Sequence, residues 1–129
     1  MERTDKRTPY PSAAGVTFTQ DGTALVARVT GEIDHHAARR LRETIDMEVF
    51  RTLPSVLTLD LSEVGFMDSA GLGLILGRLN LMTGRRGVLR LSGLRPAVAR
   101  ILSLAGVERL PGLILPGRDA ALPAGSGAR

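Results

Sequence analysis

Apolar and polar positions change period several times along the chain, and each period predicts an element. Val16-Thr17-Phe18-Thr19-Gln20 and Ala24-Leu25-Val26-Ala27-Arg28-Val29-Thr30 have strand character and flank Asp21-Gly22. Asp-Gly favours a tight turn with positive φ, so the two runs predict a hairpin. From residue 35 to about 50, Ala38, Leu41, Ile45 and Val49 recur at i+3 and i+4, with Arg39, Arg40, Arg42 and Glu43 on the other side. That is the pattern of an amphipathic helix, with Asp34 where an N-cap belongs and Pro54 closing the connection. Val56-Leu57-Thr58-Leu59-Asp60-Leu61 is a short apolar run bounded by turn residues, which predicts a buried strand. A second helix is predicted over 69–83, ended by Gly84, then a strand over 88–92. A third helix over 96–104 has Pro96 in its first turn and Gly106 just past its end. Leu113-Ile114-Leu115 predicts an edge strand and residues 119–122 a short last helix. The order β-β-α-β-α-β-α-β-α predicts an α/β fold, a mixed sheet of four to five strands with about four helices packed against it. Polar residues 1–15, with Pro9 and Pro11, read as a flexible arm, and 123–129 as a disordered tail, leaving one domain over 16–122.

The second helix opens on the most informative stretch, Phe66-Met67-Asp68-Ser69-Ala70-Gly71-Leu72-Gly73-Leu74-Ile75-Leu76-Gly77-Arg78. Ser69 or Asp68 can cap the helix by accepting a backbone N–H, worth about 1 kcal/mol. A cap does not explain Gly71, Gly73 and Gly77, each of which costs about 0.8–1 kcal/mol relative to alanine in a helix interior. Leu72, Ile75, Leu76 and Leu79 form one apolar face suited to the sheet, and Leu74 and Leu81 are expected on the opposite side, near Gly77 and Arg78. A helix apolar on two faces is either sandwiched or exposes a docking surface. Tight packing on the sheet accounts for one or two of the glycines; the remainder would let another protein's backbone approach. A hydroxyl pointing outward at the helix start is also a candidate for modification. A phosphate on Ser69 would add about −1.5 to −2 charges, be tolerated at a helix N-terminus, be opposed by Asp68 and Asp60, and block an apolar surface around Gly71 and Leu74.

Composition removes several classes of function. Cysteine is absent, which excludes a thiol nucleophile, a thiolate metal site and disulfides. The net charge is +4, but sixteen of the seventeen basic residues are arginines scattered along the chain, and Tyr10, Phe18, Phe50 and Phe66 are the only aromatics. A basic stripe and a stacking platform are both missing, so direct nucleic-acid binding is not expected. The N-terminus has no apolar core of a signal peptide and no apolar run reaches bilayer length, so a cytoplasmic protein without membrane contact is expected.

A second polar cluster is Gly31-Glu32-Ile33-Asp34-His35-His36. Adjacent histidines on a helix point about 100° apart and seldom share a metal, so no metal site is expected. Glu32 and Asp34 suit the positive end of a helix; beside the Ser69 loop they could also pair with arginines of a partner. Arg78 reads as exposed on the second helix, by default a surface charge, with an interface role as the sharper alternative. Gly71-Leu72-Gly73 with Gly77 is not a dinucleotide fingerprint, because those glycines lie inside the helix. Nor is Ser69 in a nucleophile elbow, because Met67 stands where a glycine is required.

These two separated segments resemble the bacterial anti-sigma factor antagonists, which have a STAS domain, and the histidine pair is most similar to the sporulation branch. The similarity continues through Leu94-Arg95-Pro96-Ala97-Val98-Ala99-Arg100-Ile101-Leu102 and Ala105-Gly106-Val107, covering about 16–122. It implies a STAS fold and a binding protein rather than an enzyme, with no cofactor. The unphosphorylated form would bind an anti-sigma factor that is also a serine kinase, releasing the sigma factor. The kinase would phosphorylate Ser69, and a PP2C-type phosphatase would reverse it. The implied partner-binding residues are Glu32, Asp34, His35, Asp68, Ser69, Gly71, Leu72, Leu74 and Arg78. Ala70 replaces a hydroxyl residue common at that position of the family, leaving Ser69 as the motif's one acceptor. Arg95, where the sporulation protein has serine, and the N-terminal arm are departures. The same fold without a sigma-factor role, as a scaffold, sensor or nucleotide-responsive module, is the alternative; a small hydrolase using Ser69 would need His35 or His36 as base.

Overall fold

The computed structural model describes residues 14–117. The helix expected at 119–122, the tail and nearly all of the arm lie outside the described residues. Within them, five strands form one mixed sheet in the order β1-β2-β3-β4-β5. These are β1 (Gly15–Asp21), β2 (Ala24–Thr30), β3 (Val56–Glu63), β4 (Val88–Ser92) and β5 (Leu113–Ile114). β1 and β2 form the antiparallel hairpin predicted from Asp21-Gly22, with Asp21 opposite Ala24. β2, β3, β4 and β5 run parallel to one another. The parallel connections are made by α1 (His35–Thr52), α2 (Ser69–Gly84) and α3 (Pro96–Ala105), with a short 3₁₀ turn at Val107–Arg109 that the pattern of the sequence did not announce.

The core follows from the periods. In β3, Leu57, Leu59 and Leu61 are wholly buried, and Thr58 between them is also buried, as expected for a strand covered on both faces. β2 turns Leu25, Ala27 and Val29 inward and leaves Arg28 exposed. α1 buries Ala37, Ala38, Leu41, Ile45 and Val49, the predicted stripe. It packs against α2, and α2 against β4. α3 buries only Val98 and Leu102. Its first helical residue is Pro96, and Gly106 terminates it with φ of 72°, a left-handed conformation that glycine adopts without strain.

Candidate functional site

The two segments singled out by the sequence follow β2 and β3, two parallel neighbours, so both loops leave the same edge of the sheet. They are also joined directly. Ile33 and Met67 form an isolated parallel bridge: Ile33 N donates to Phe66 O at 3.0 Å and Asp68 N donates to Ile33 O at 3.3 Å. Both bridging side chains are wholly buried. The bridge sets the starts of α1 and α2 side by side at the carboxyl ends of the strands, where open α/β sheets place their binding sites. Gly31 makes the exit from β2 possible, with φ of 90° and its N–H donating to Glu63 O.

Each helix is capped by an aspartate. Asp34 Oδ1 accepts Ala37 N at 2.9 Å, and Asp68 Oδ1 accepts Ala70 N at 2.8 Å. Both are extended at the cap, and a carboxylate there also meets the positive end of the helix dipole. Of the two possible caps of α2, the structure uses Asp68 and not Ser69. Ser69 is the first helical residue and is exposed. Its hydroxyl is therefore available to chemistry rather than committed to the end of the helix.

The phase of α2 differs from expectation. Leu74 and Arg78 were expected on the side away from the core; both are buried, along with Gly71, Ile75, Leu79 and Met82. Leu72, Leu76 and Leu81 are half-buried around the core's margin. The reason is that α2 is covered on two sides, by the sheet and by α1. Gly71 belongs to that packing: a Cβ there would lie 2.6 Å from Met67 Cβ and 2.8 Å from its Sδ. Gly71 and Leu74 thus serve the packing of α2 and do not form the open apolar face expected of them. At Gly73 and Gly77 a Cβ would meet nothing within 4 Å. With Ser69 they recur every four residues on the outer face of α2, a strip with almost no side chain above the backbone.

Arg78 lies inside. It is 5% exposed, and its Nε stands 2.9 Å from Asp46 Oδ1 of α1. The N–H is not aligned on that oxygen, so the contact is an ion pair without a hydrogen bond. Burial pushes the Asp46 carboxyl up despite the attraction of Arg78 and Arg42, and burial pulls the Arg78 guanidinium down despite Asp46. For both partners desolvation outweighs attraction, so the pair fixes the pairing of α1 with α2 more than it adds stability.

Between the first turns of the two helices lies a groove of about 500 Å³, lined by His35, Ala38, Arg39 and Arg42 of α1 and by Ala70, Gly73 and Leu74 of α2. Of the expected contact residues, Glu32, Asp34, His35 and Ser69 are exposed around this end of the molecule, and Asp68 is half-buried. The two histidine rings sit edge to face, with centroids 5.6 Å apart. Arg39 and Arg42, read from the sequence only as the solvent side of α1, are the cationic wall of the groove. The i, i+3/i+4 spacing of His35, Arg39 and Arg42 carried that signal, but the neighbouring helix that makes them a wall is supplied by tertiary structure.

Comparison with known proteins identifies the fold and the family. The STAS domain family model matches residues 16–120. The chain is 35% identical over 86 residues to the anti-sigma F factor antagonist of Paenibacillus polymyxa, covering 67% of this chain and 74% of that one. The crystal structure of an anti-sigma factor antagonist from Mycobacterium paratuberculosis superposes with a TM-score of 0.72 at 28% identity, covering 92% of this chain and 98% of that one. SpoIIAA has the same fold: its unphosphorylated form superposes with a TM-score of 0.64 at 24% identity over 89% of this chain and 100% of its own. The Bacillus protein's phosphorylated form gives 0.62 at 24% identity over 84% and 97%. The sequence match spans nearly every described element, and the chain belongs to the STAS domain family, among the bacterial anti-sigma factor antagonists.

Proposed function

We propose that this chain is an anti-sigma factor antagonist controlled by phosphorylation of Ser69. In the unphosphorylated form it binds an anti-sigma factor that is also a serine kinase, and the sigma factor is released. The kinase then phosphorylates Ser69, the complex is lost, and a PP2C-type phosphatase restores the binding form. The chain acts in the cytoplasm as a binding protein and as the kinase's substrate; nucleotide and magnesium belong to the kinase.

The observation that carries this reading is the division of labour at the start of α2. Asp68 caps the helix, and Ser69 beside it stands exposed on the side-chain-poor outer face. A phosphate there would leave the fold intact while adding about −1.5 to −2 charges to the surface a partner must approach. Ser69, Gly73, Ala70, His35, Asp34 and Glu32 form the contact surface; Gly71, Leu74 and Arg78 act beneath it by holding α1 and α2 together. The names of the relatives support the sigma-factor role, and the two solved forms of SpoIIAA support a phosphorylation cycle on this fold.

The test is incubation with the cognate kinase and Mg-ATP, followed by mass spectrometry and calorimetric binding. One phosphate is expected on Ser69 and none on Ser69→Ala, with Ser69→Glu binding the anti-sigma factor more weakly than wild type. Equal affinity of wild type and Ser69→Glu would overturn the switch. Ester hydrolysis lost in Ser69→Ala would point to a hydrolase instead.

A further inference from the structure

We propose that the groove between α1 and α2 is a receptor for the modification itself: Arg39, backed by His35 and Arg42, pairs with the phosphate on Ser69 within the same molecule. This deepens the phosphorylation reading and rests on it. Gly73 lies one turn beyond Ser69 on the same face of α2, and both it and Ala70, the residue after Ser69, line the groove. The opposite wall is His35, Arg39 and Arg42, on one face of a helix that starts beside α2 through the Ile33–Met67 bridge. Gly73 carries no Cβ, and one placed there would meet nothing within 4 Å, so at that position α2 puts no side chain into the groove. Arg39 and Arg42 are exposed, and neither stands within ion-pair distance of a carboxylate among the described residues; Arg42 also attracts Asp46 at longer range, which leaves Arg39 as the principal partner for a dianion. Asp34 and Asp68 at the two caps and Glu32 in the adjoining loop oppose the phosphate; the guanidinium groups and the two helix N-termini favour it. Arginine suits the role because its planar fork meets phosphate oxygens in pairs.

The consequence is that phosphorylation does more than add charge to a docking surface. It also occupies the cationic wall, so that a partner loses Ser69 and the arginines together.

The experiment uses the full chain with phosphoserine installed at position 69 by semisynthesis, so that no kinase is required. Phosphorus NMR titration then reads the second ionisation of the phosphate, ordinarily about 6. In Arg39→Ala the midpoint should rise by about half a unit relative to wild type, and Arg39→Lys should recover most of the difference by restoring the charge. The same midpoint in wild type and Arg39→Ala, with both chains folded by circular dichroism, would overturn the receptor. Such a result would leave the kinase assay untouched, whereas failure of the kinase to modify Ser69 would remove the phosphorylation reading on which this inference stands.

Discussion

Replacing the three interior glycines of α2, Gly71, Gly73 and Gly77, one at a time by alanine separates the residues that pack from those that leave room for a partner. In a helix interior alanine is favoured over glycine by about 0.8–1 kcal/mol. At Gly73 and Gly77 the new methyl enters open space, so that gain should appear nearly undiminished. At Gly71 it would sit 2.6 Å from Met67 Cβ and 2.8 Å from Met67 Sδ, against an ordinary carbon contact of about 3.5–4.0 Å. The clash involves Met67 Cβ, which cannot move without its backbone, and Met67 is wholly buried and bridged to Ile33. Overpacking of this kind costs about 1–3 kcal/mol. Set against the propensity gain, Gly71→Ala should lose about 1 kcal/mol. In urea, with a slope of about 2 kcal/mol per M for a small domain, the midpoints should move about half a molar unit, upward for Gly73→Ala and Gly77→Ala and downward for Gly71→Ala. The second half of the assay is affinity for the anti-sigma factor. Gly73→Ala should bind less tightly than wild type although it is more stable, because its methyl stands on the outer face beside Ser69. If Gly71→Ala raised the midpoint as Gly73→Ala does, the packing argument would be refuted. A Gly73→Ala chain that is both more stable and equally tight-binding would refute the assignment of that face to the partner.

Three other expectations follow from the same geometry. Arg78→Ala leaves Asp46 with only the weaker attraction of Arg42; because Asp46 is also about a quarter exposed, the loss should be about 2 kcal/mol rather than the larger value of a fully buried pair, and Asp46→Leu in the same chain should restore much of it, read by urea denaturation. Asp60 is held below the usual carboxylate range by the backbone N–H and then the hydroxyl of Ser62, with Arg28 adding to them. Its contribution is therefore complete above the ordinary aspartate value of about 3.9 and lost as pH falls through the lowered one; Ser62→Ala keeps the larger, backbone share and removes the hydroxyl's, so it should raise the Asp60 midpoint partway in a carbon NMR titration and bring acid unfolding to higher pH, and an unmoved midpoint would contradict the hydroxyl's share. Leu53 ends α1 at φ of 52° with its side chain mostly exposed, so Leu53→Gly should raise stability by about 0.5–1 kcal/mol in thermal melts.

How far each element could be read in advance tracks how far its environment is local. The stripe Ala38, Leu41, Ile45 and Val49 has a single phase because α1 meets the rest of the protein along one side, and that phase was legible. α2 carries Leu72, Leu74, Ile75, Leu76, Leu79 and Leu81 on all sides except the strip of Ser69, Gly73 and Gly77. Its apolar pattern therefore selects no direction, and only the position of α1, fixed by the pairing of Ile33 with Met67, decides that Leu74 and Arg78 go inside. The Arg78–Asp46 pair was hidden for the same reason: its members stand 32 positions apart, and nothing near either one in sequence marks it as buried. The adjacency of the two polar segments was more accessible, since consecutive parallel strands deliver their following loops to one edge of a sheet. The cap of α2 lay one residue beyond the resolution of sequence reasoning, because Asp68 and Ser69 are both competent and helix ends are ambiguous by a residue. That single residue matters to the mechanism. If Ser69 were the cap, modifying it would disturb the helix that displays it, and the loss of binding would be inseparable from loss of structure. With Asp68 bearing the cap, Ser69→Ala should leave stability nearly unchanged while abolishing the proposed acceptor, so that loss of modification can be separated from loss of structure.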